Sequence, residues 1–217
     1  MAAANLATSL PARFPVFPLR GAMLLPGGNL PLNIFESRYL QMVRDAMQTD
    51  RVIGMIQPKT AAADPVQPEL YRTGCAGRIS NFSETGDGRF LITLTGVCRF
   101  DVASELDVAT PYRQVVADFD RWRCDLQPEP PPEELKASLV RVLRGYFDRH
   151  GIEADWSAVD AAPLAGLLTS LCMICPFEPE EKQALLEAGD GGRQARLLIA
   201  LMEMETLAEP GATTTRH

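Results

Sequence analysis

The strongest constraint on the fold is a change of period at residues 125–134, DLQPEPPPEE. On its N-terminal side apolar residues come in short runs and alternations. On its C-terminal side they recur every three or four positions. RFPVFPL, AMLLP, NLPLNIF, VIGMIQP, LYRTGCAGRISNF, RFLITLTG, CRFDVASEL and RQVVADF are rich in Val, Ile, Leu, Phe and Thr, with Gly or Pro between them, so each reads as a short strand. In RFLITLTG, Phe90, Ile92 and Leu94 share one face, and the Asp87-Gly88 pair before it supplies a hairpin turn. One helix interrupts this half, from Ser37 to Gln48, with Met42, Val43, Ala46 and Met47 as its apolar stripe. Prolines 15, 18, 26 and 31 mark strand edges and turns, because none can donate to a ladder. Many short strands with such ends predict a small closed barrel.

The proline-rich linker is stiff and polar and marks a boundary, so the chain divides into residues 1–126 and 127–217. Beyond it Leu135, Leu139, Val142, Leu143 and Tyr146 predict a helix that Gly151 caps at its C-terminus. A second helix is expected from about Asp160 to Cys175, stopped by Pro176. A third starts at Pro179, and a last one runs from about Gly192. The fold class is therefore α+β: a β pseudobarrel with one inserted helix, followed by a bundle of about four helices.

Chemical equipment is mostly excluded. No Gly-Lys-Ser/Thr phosphate loop is present, nor any Gly-x-Ser-x-Gly or His-Glu-x-x-His motif. With His150 and His217 the only histidines, neither a histidine triad nor a multi-histidine metal site is available. Cys172 and Cys175 form a Cys-x-x-Cys pair, but at the C-terminal end of a helix, where the dipole raises thiol pKa values. They read as small core residues. No cofactor, metal or catalytic residue is expected, and the chain is read as a non-enzyme.

The net charge is −7, and all of it lies in the second half. Residues 1–126 hold 13 basic and 13 acidic side chains, residues 127–217 hold 8 and 15. Such a balance offers no field for phosphates, so nucleic acid is not an expected partner. No apolar run is long enough for a membrane span, no secretory leader is evident, and five cysteines fit a reducing compartment. The expected location is the cytoplasm.

The opening stretch FPVFPLRGAMLLPGGNLPLNIFESRYL resembles the start of the Lon protease N-terminal, substrate-binding domain family. The matching residues are Pro15, Phe17, Pro18, Leu19, Leu24, Leu25, Pro26, Gly27, Pro31, Leu32, Ile34, Phe35, Glu36, Arg38 and Tyr39. The likeness continues at Thr73, Gly74, Ala76 and Ile79, in DGRFLITLTGVCRF, and at Lys182, Gln183, Leu185, Leu186 and Glu187. It covers roughly residues 13–207. The resemblance implies a PUA-like pseudobarrel and a helical bundle, without the ATPase and peptidase modules of full-length Lon, in a bacterial, stand-alone binding module. It implies recognition of polypeptide or a protein partner.

On that reading the candidate substrate-binding residues are Met23, Leu24, Glu36 and Arg38, together with the unpatterned stretch 58–69. Met23 and Leu24 also read as core, and Glu36 and Arg38 as residues holding the corner before the first helix. The alternative is a small-molecule binder or cryptic enzyme using a cleft between barrel and helices, lined by Glu36, Arg38, Arg78 and Arg99.

Overall fold

A computed structural model describes residues 10–59 and 67–207; positions 60–66 of the unpatterned stretch lie outside them. Six strands form one sheet: β1 (Arg13–Pro18), β2 (Asn29–Ile34), β3 (Val52–Pro58), β4 (Leu70–Glu84), β5 (Phe90–Glu105) and β6 (Gln114–Asp118), in the order β2-β5-β4-β3-β1-β6. A further pairing of β5 with β6 closes five of them into a ring and leaves β2 outside it, bonded to β5 alone. Helix α1 (Ser37–Met47) lies in the connection that leads to β3, which runs parallel to β1; the other pairings are antiparallel.

The expected fold class, α+β, is the observed one. Two details of the strand reading differ. RFLITLTG and CRFDVASEL are a single strand, β5, because Gly96 is a paired residue of the ladder rather than a turn. AMLLP is not a strand: its apolar residues belong to a loop that packs on the ring.

The ring is filled by Phe14, Val16, Val52, Ile56, Ala76, Phe100, Val115 and Ala117. Phe14 and Phe100 meet edge-on with centroids 5.1 Å apart, a favoured aromatic geometry. Gly54 gives them room, since a Cβ there would sit 2.7 Å from Phe14 and 2.9 Å from Phe100.

Five helices follow a 3₁₀ segment at Asp120–Leu126: α2 (Glu134–His150), α3 (Trp156–Ala161), α4 (Leu164–Ile174), α5 (Pro179–Glu187) and α6 (Gly191–Leu207). Gly151 caps α2 in the left-handed conformation, φ 64°, as its position predicts. The helix expected from Asp160 is instead α3 followed by α4. The residue before Pro163 takes an extended conformation, Ala162 φ −66° ψ 140°, and breaks the run.

The described residues form two compact units. One comprises the chain through Glu129 with Thr169–Glu187; the other comprises Pro130–Leu168 and the described residues from Ala188 onward. The first thus contains the ring, α5 and most of α4. In the second, α2 packs on α6, and the buried residues of the two helices include Leu139, Leu143, Ala195 and Leu198.

Helix α5 is clamped to the ring by polar side chains. Lys182 Nζ donates to the Gly21 carbonyl (2.8 Å), and the Gly21 amide donates to Gln57 Oε1 (3.0 Å). Gln57 Nε2 donates to the Pro179 carbonyl (3.0 Å) and to Gln183 Oε1 (3.1 Å), while Gln183 Nε2 reaches the Thr73 carbonyl (3.1 Å).

Candidate functional site

The corner between β2 and α1 is set by backbone. Glu36 is extended at the helix N-cap, φ −71° ψ 133°, and its carbonyl accepts from the amides of Tyr39 and Leu40, both at 2.9 Å. Its side chain does not cap the helix. It accepts from Arg38 instead, at 3.0 Å from Nε and 2.9 Å from Nη2. The Arg38 guanidinium also stacks 4.6 Å over the Tyr39 ring, and Tyr39 in turn packs on Phe17. Burial raises the Tyr39 phenol above its usual pKa, with Arg38 opposing.

One helical turn further, α1 meets the connection between β5 and β6. Asp45 accepts on one carboxylate oxygen from Gln41 Nε2 (2.8 Å) and on the other from the Tyr112 hydroxyl (2.6 Å). Tyr112 is buried, and burial together with the Asp45 carboxylate pushes its phenol far up. Thr110 and Gln114 complete the tie: Thr110 Oγ1 donates to the Tyr112 carbonyl (2.9 Å) and accepts from Gln114 Nε2 (3.3 Å).

Between these elements lies an open groove of about 730 Å³. Ser37, Arg38, Gln41 and Asp45 form one wall, Val108, Ala109, Thr110 and Pro111 the other, with Gln114 beside them. One side is thus rich in hydrogen-bonding groups and the other largely apolar, with Val108 37% exposed. An amphipathic, open groove suits a chain segment that offers both side chains and backbone amides.

Of the residues singled out from sequence, Arg38 lines the groove and Glu36 is its ion-pair partner. Met23 and Leu24 are 2% and 1% exposed and present no surface to a ligand. Arg78 donates to the Asp50 carbonyl at 2.9 Å, outside the groove. Arg99 is buried against Asp125, with Nε–Oδ2 2.9 Å and Nη2–Oδ1 2.6 Å. It also donates to the Leu186 carbonyl and stacks 4.1 Å over Trp122. Burial opposes the Arg99 charge, but the Asp125 carboxylate outweighs it and raises the pKa.

Gln41, Asp45, Val108, Thr110, Tyr112 and Gln114 carry no motif. Only their convergence from two distant segments marks them. Burial pushes the Cys172 thiol up, and neighbouring Cys175 adds to it, so the pair is poorly suited to thiolate chemistry. Among the described residues no cluster of three or more His, Cys, Asp or Glu could hold a metal, and no helix is long and apolar enough to cross a membrane.

Residues 13–204 match the model of the ATP-dependent protease La (LON) substrate-binding domain. The chain belongs to the LON substrate-binding domain family. Relatives with this domain include Lon protease 2 of Myxococcus xanthus, 27% identical over 202 residues, and Lon protease of Anaeromyxobacter dehalogenans, 32% identical over 199. Each alignment covers 89% of this chain but 24% and 23% of the relative, so the chain spans about a quarter of the curated Lon proteases it matches. A crystal structure of a Lon N-terminal domain protein from Xanthomonas campestris is 25% identical, with a TM-score of 0.59, over 88% of this chain and 98% of that one. The N-terminal domain of a Mycobacterium avium complex Lon protease, 15% identical with a TM-score of 0.64, shares the fold over the same proportions.

Proposed function

We propose that this chain is a non-catalytic binding module for polypeptide and that the groove between α1 and the β5–β6 connection receives the bound segment. The observation that carries this reading is the groove itself, with its apolar wall at Val108, Ala109 and Pro111 facing the polar side chains of α1. Family membership supports polypeptide as the ligand class. The balanced charge of residues 1–126 argues against a phosphate backbone as ligand. None of the five cysteines is joined in a disulfide, which favours a reducing compartment such as the cytoplasm.

The test is anisotropy titration with fluorescein-labelled, reduced and carboxymethylated α-lactalbumin as an unfolded chain, and with native ribonuclease A as a folded one. Saturable binding of the first alone is the expected result. No binding of the unfolded chain at any accessible concentration defeats the reading.

A further inference from the structure

Strand β2 is an edge. It pairs with β5 only, in the register Asn29↔Thr95 through Ile34↔Phe90. The Gly96 amide donates to the Gly28 carbonyl at 2.9 Å, which fixes the phase of this ladder. Counting in twos from Gly28, Leu30, Leu32 and Ile34 turn their backbone groups toward β5, and Asn29, Pro31 and Asn33 turn theirs outward. Pro31, with no N–H, therefore occupies a position where the ladder needs none. The outward edge still offers the amides of Asn29 and Asn33 and the carbonyls of Asn29, Pro31 and Asn33.

Apolar side chains flank this edge, with the Arg89 guanidinium 6.0 Å from the Phe35 ring centroid. No charged residue occurs between Arg20 and Glu36, although charge is the usual guard of an exposed edge. Leu30 and Leu32 are only partly buried on one face. On the other, Leu91, the partner of Asn33, is 46% exposed, and Phe35, just past the strand end, is 62% exposed.

We infer that β2 is a second docking site, one that takes an extended segment of a foreign polypeptide as an added strand. This rests on the polypeptide-binding reading and adds a mode of recognition distinct from the groove. Backbone donors and acceptors spaced along an edge are complementary to another strand and to little else. Pro31 decides between occupants. Two copies of β2 pairing with each other would lose a donor from each chain, whereas a foreign strand meets only the single gap at Pro31.

The experiment is NMR-detected hydrogen exchange on the full chain, with and without saturating carboxymethylated α-lactalbumin. The Asn29 and Asn33 amides are expected to slow roughly tenfold or more, while the Leu30, Leu32 and Ile34 amides, already bonded to β5, change little. N33P, which removes an outward donor and no bond to β5, is expected to weaken binding about five- to tenfold. Bound probe with unprotected Asn29 and Asn33 amides overturns this inference and leaves the polypeptide reading standing. Absence of any probe binding overturns both. Protection of the same amides by raised protein concentration alone makes a second copy the occupant and also overturns it.

Discussion

Gly77 and Gly96 face each other across β4 and β5, and the Met23-Leu24-Leu25 loop lies in the space their missing side chains leave. A Cβ on Gly77 would sit 2.6 Å from a Leu24 methyl, and one on Gly96 would run into the Leu25 carbonyl. The two obstacles differ: a leucine methyl can swing aside, but a carbonyl is held by the chain. Overpacking should therefore cost more at the second position. G96A is expected to lose about 1–3 kcal/mol and G77A clearly less, as measured by urea unfolding with unchanged m-values.

That pair also explains how far the sequence could be read. The alternation of Phe90, Ile92 and Leu94 identifies a strand because one face is buried, and the 3.6-residue period of α2 identifies a helix for the same reason. AMLLP has strand composition but no partner strand, because what covers its residues is a glycine pair more than fifty positions away. The corner at Glu36 and Arg38 was legible as a corner. The groove was not: Asp45 and Tyr112 are ordinary residues until the chain brings α1 against the β5–β6 connection.

Lys182 and Gln183 belong to the segment of the helical half that resembles the Lon family, and both side chains hold α5 to the ring. Gln183 receives Gln57 Nε2 and donates to the Thr73 carbonyl as well as to Glu187 Oε1, so one buried amide ties Gln57 to β4. Q183L should leave Gln57 and the Thr73 carbonyl each short of a partner and cost about 1–3 kcal/mol. Q57L/Q183L should cost less than the sum of the two single changes, a coupling that a double-mutant cycle in urea would measure.

Arg99 and Asp125, with side chains 7% and 6% exposed, show the asymmetry of buried ion pairs. Removing either partner alone strands a charge in the interior. D125L and R99M are each expected to destabilise by about 3–5 kcal/mol, and the combined R99M/D125L chain should regain a substantial part of that loss. Thermal and urea unfolding of the three variants would show it. A double variant no more stable than the singles would contradict the assignment.

Tyr112 predicts an alkaline signature. Its phenol is held protonated above the usual range by burial and by Asp45. Between the unfolded value of about 10 and the raised folded value, the folded state binds more protons than the unfolded state. Stability contributed by this group is thus fully present below pH ~10 and is lost as pH rises above it, at up to about 1.4 kcal/mol per pH unit. Tyr39 and the buried thiols shift the same way, so the difference between proteins is the diagnostic quantity. Y112F should unfold with a shallower pH dependence than the wild type above pH ~10 and with the same dependence at pH 7–9.

Val108 and Tyr112 separate recognition from architecture at the groove. Val108 lies on the apolar wall with 37% of its surface exposed, so V108D should change the fold little, while an incoming apolar side chain must then desolvate a carboxylate. Affinity for carboxymethylated α-lactalbumin is expected to fall about tenfold with the urea midpoint nearly unchanged. Y112F removes the hydroxyl that ties Asp45 to the β5–β6 connection and leaves the Asp45 carboxylate with Gln41 alone. It should lower stability by about 1–2 kcal/mol and weaken binding through loosening of the wall. V108D with undiminished affinity would move the binding site off the groove, and Asn29 and Asn33 amides that bound probe leaves unprotected in the same sample would move it off both surfaces.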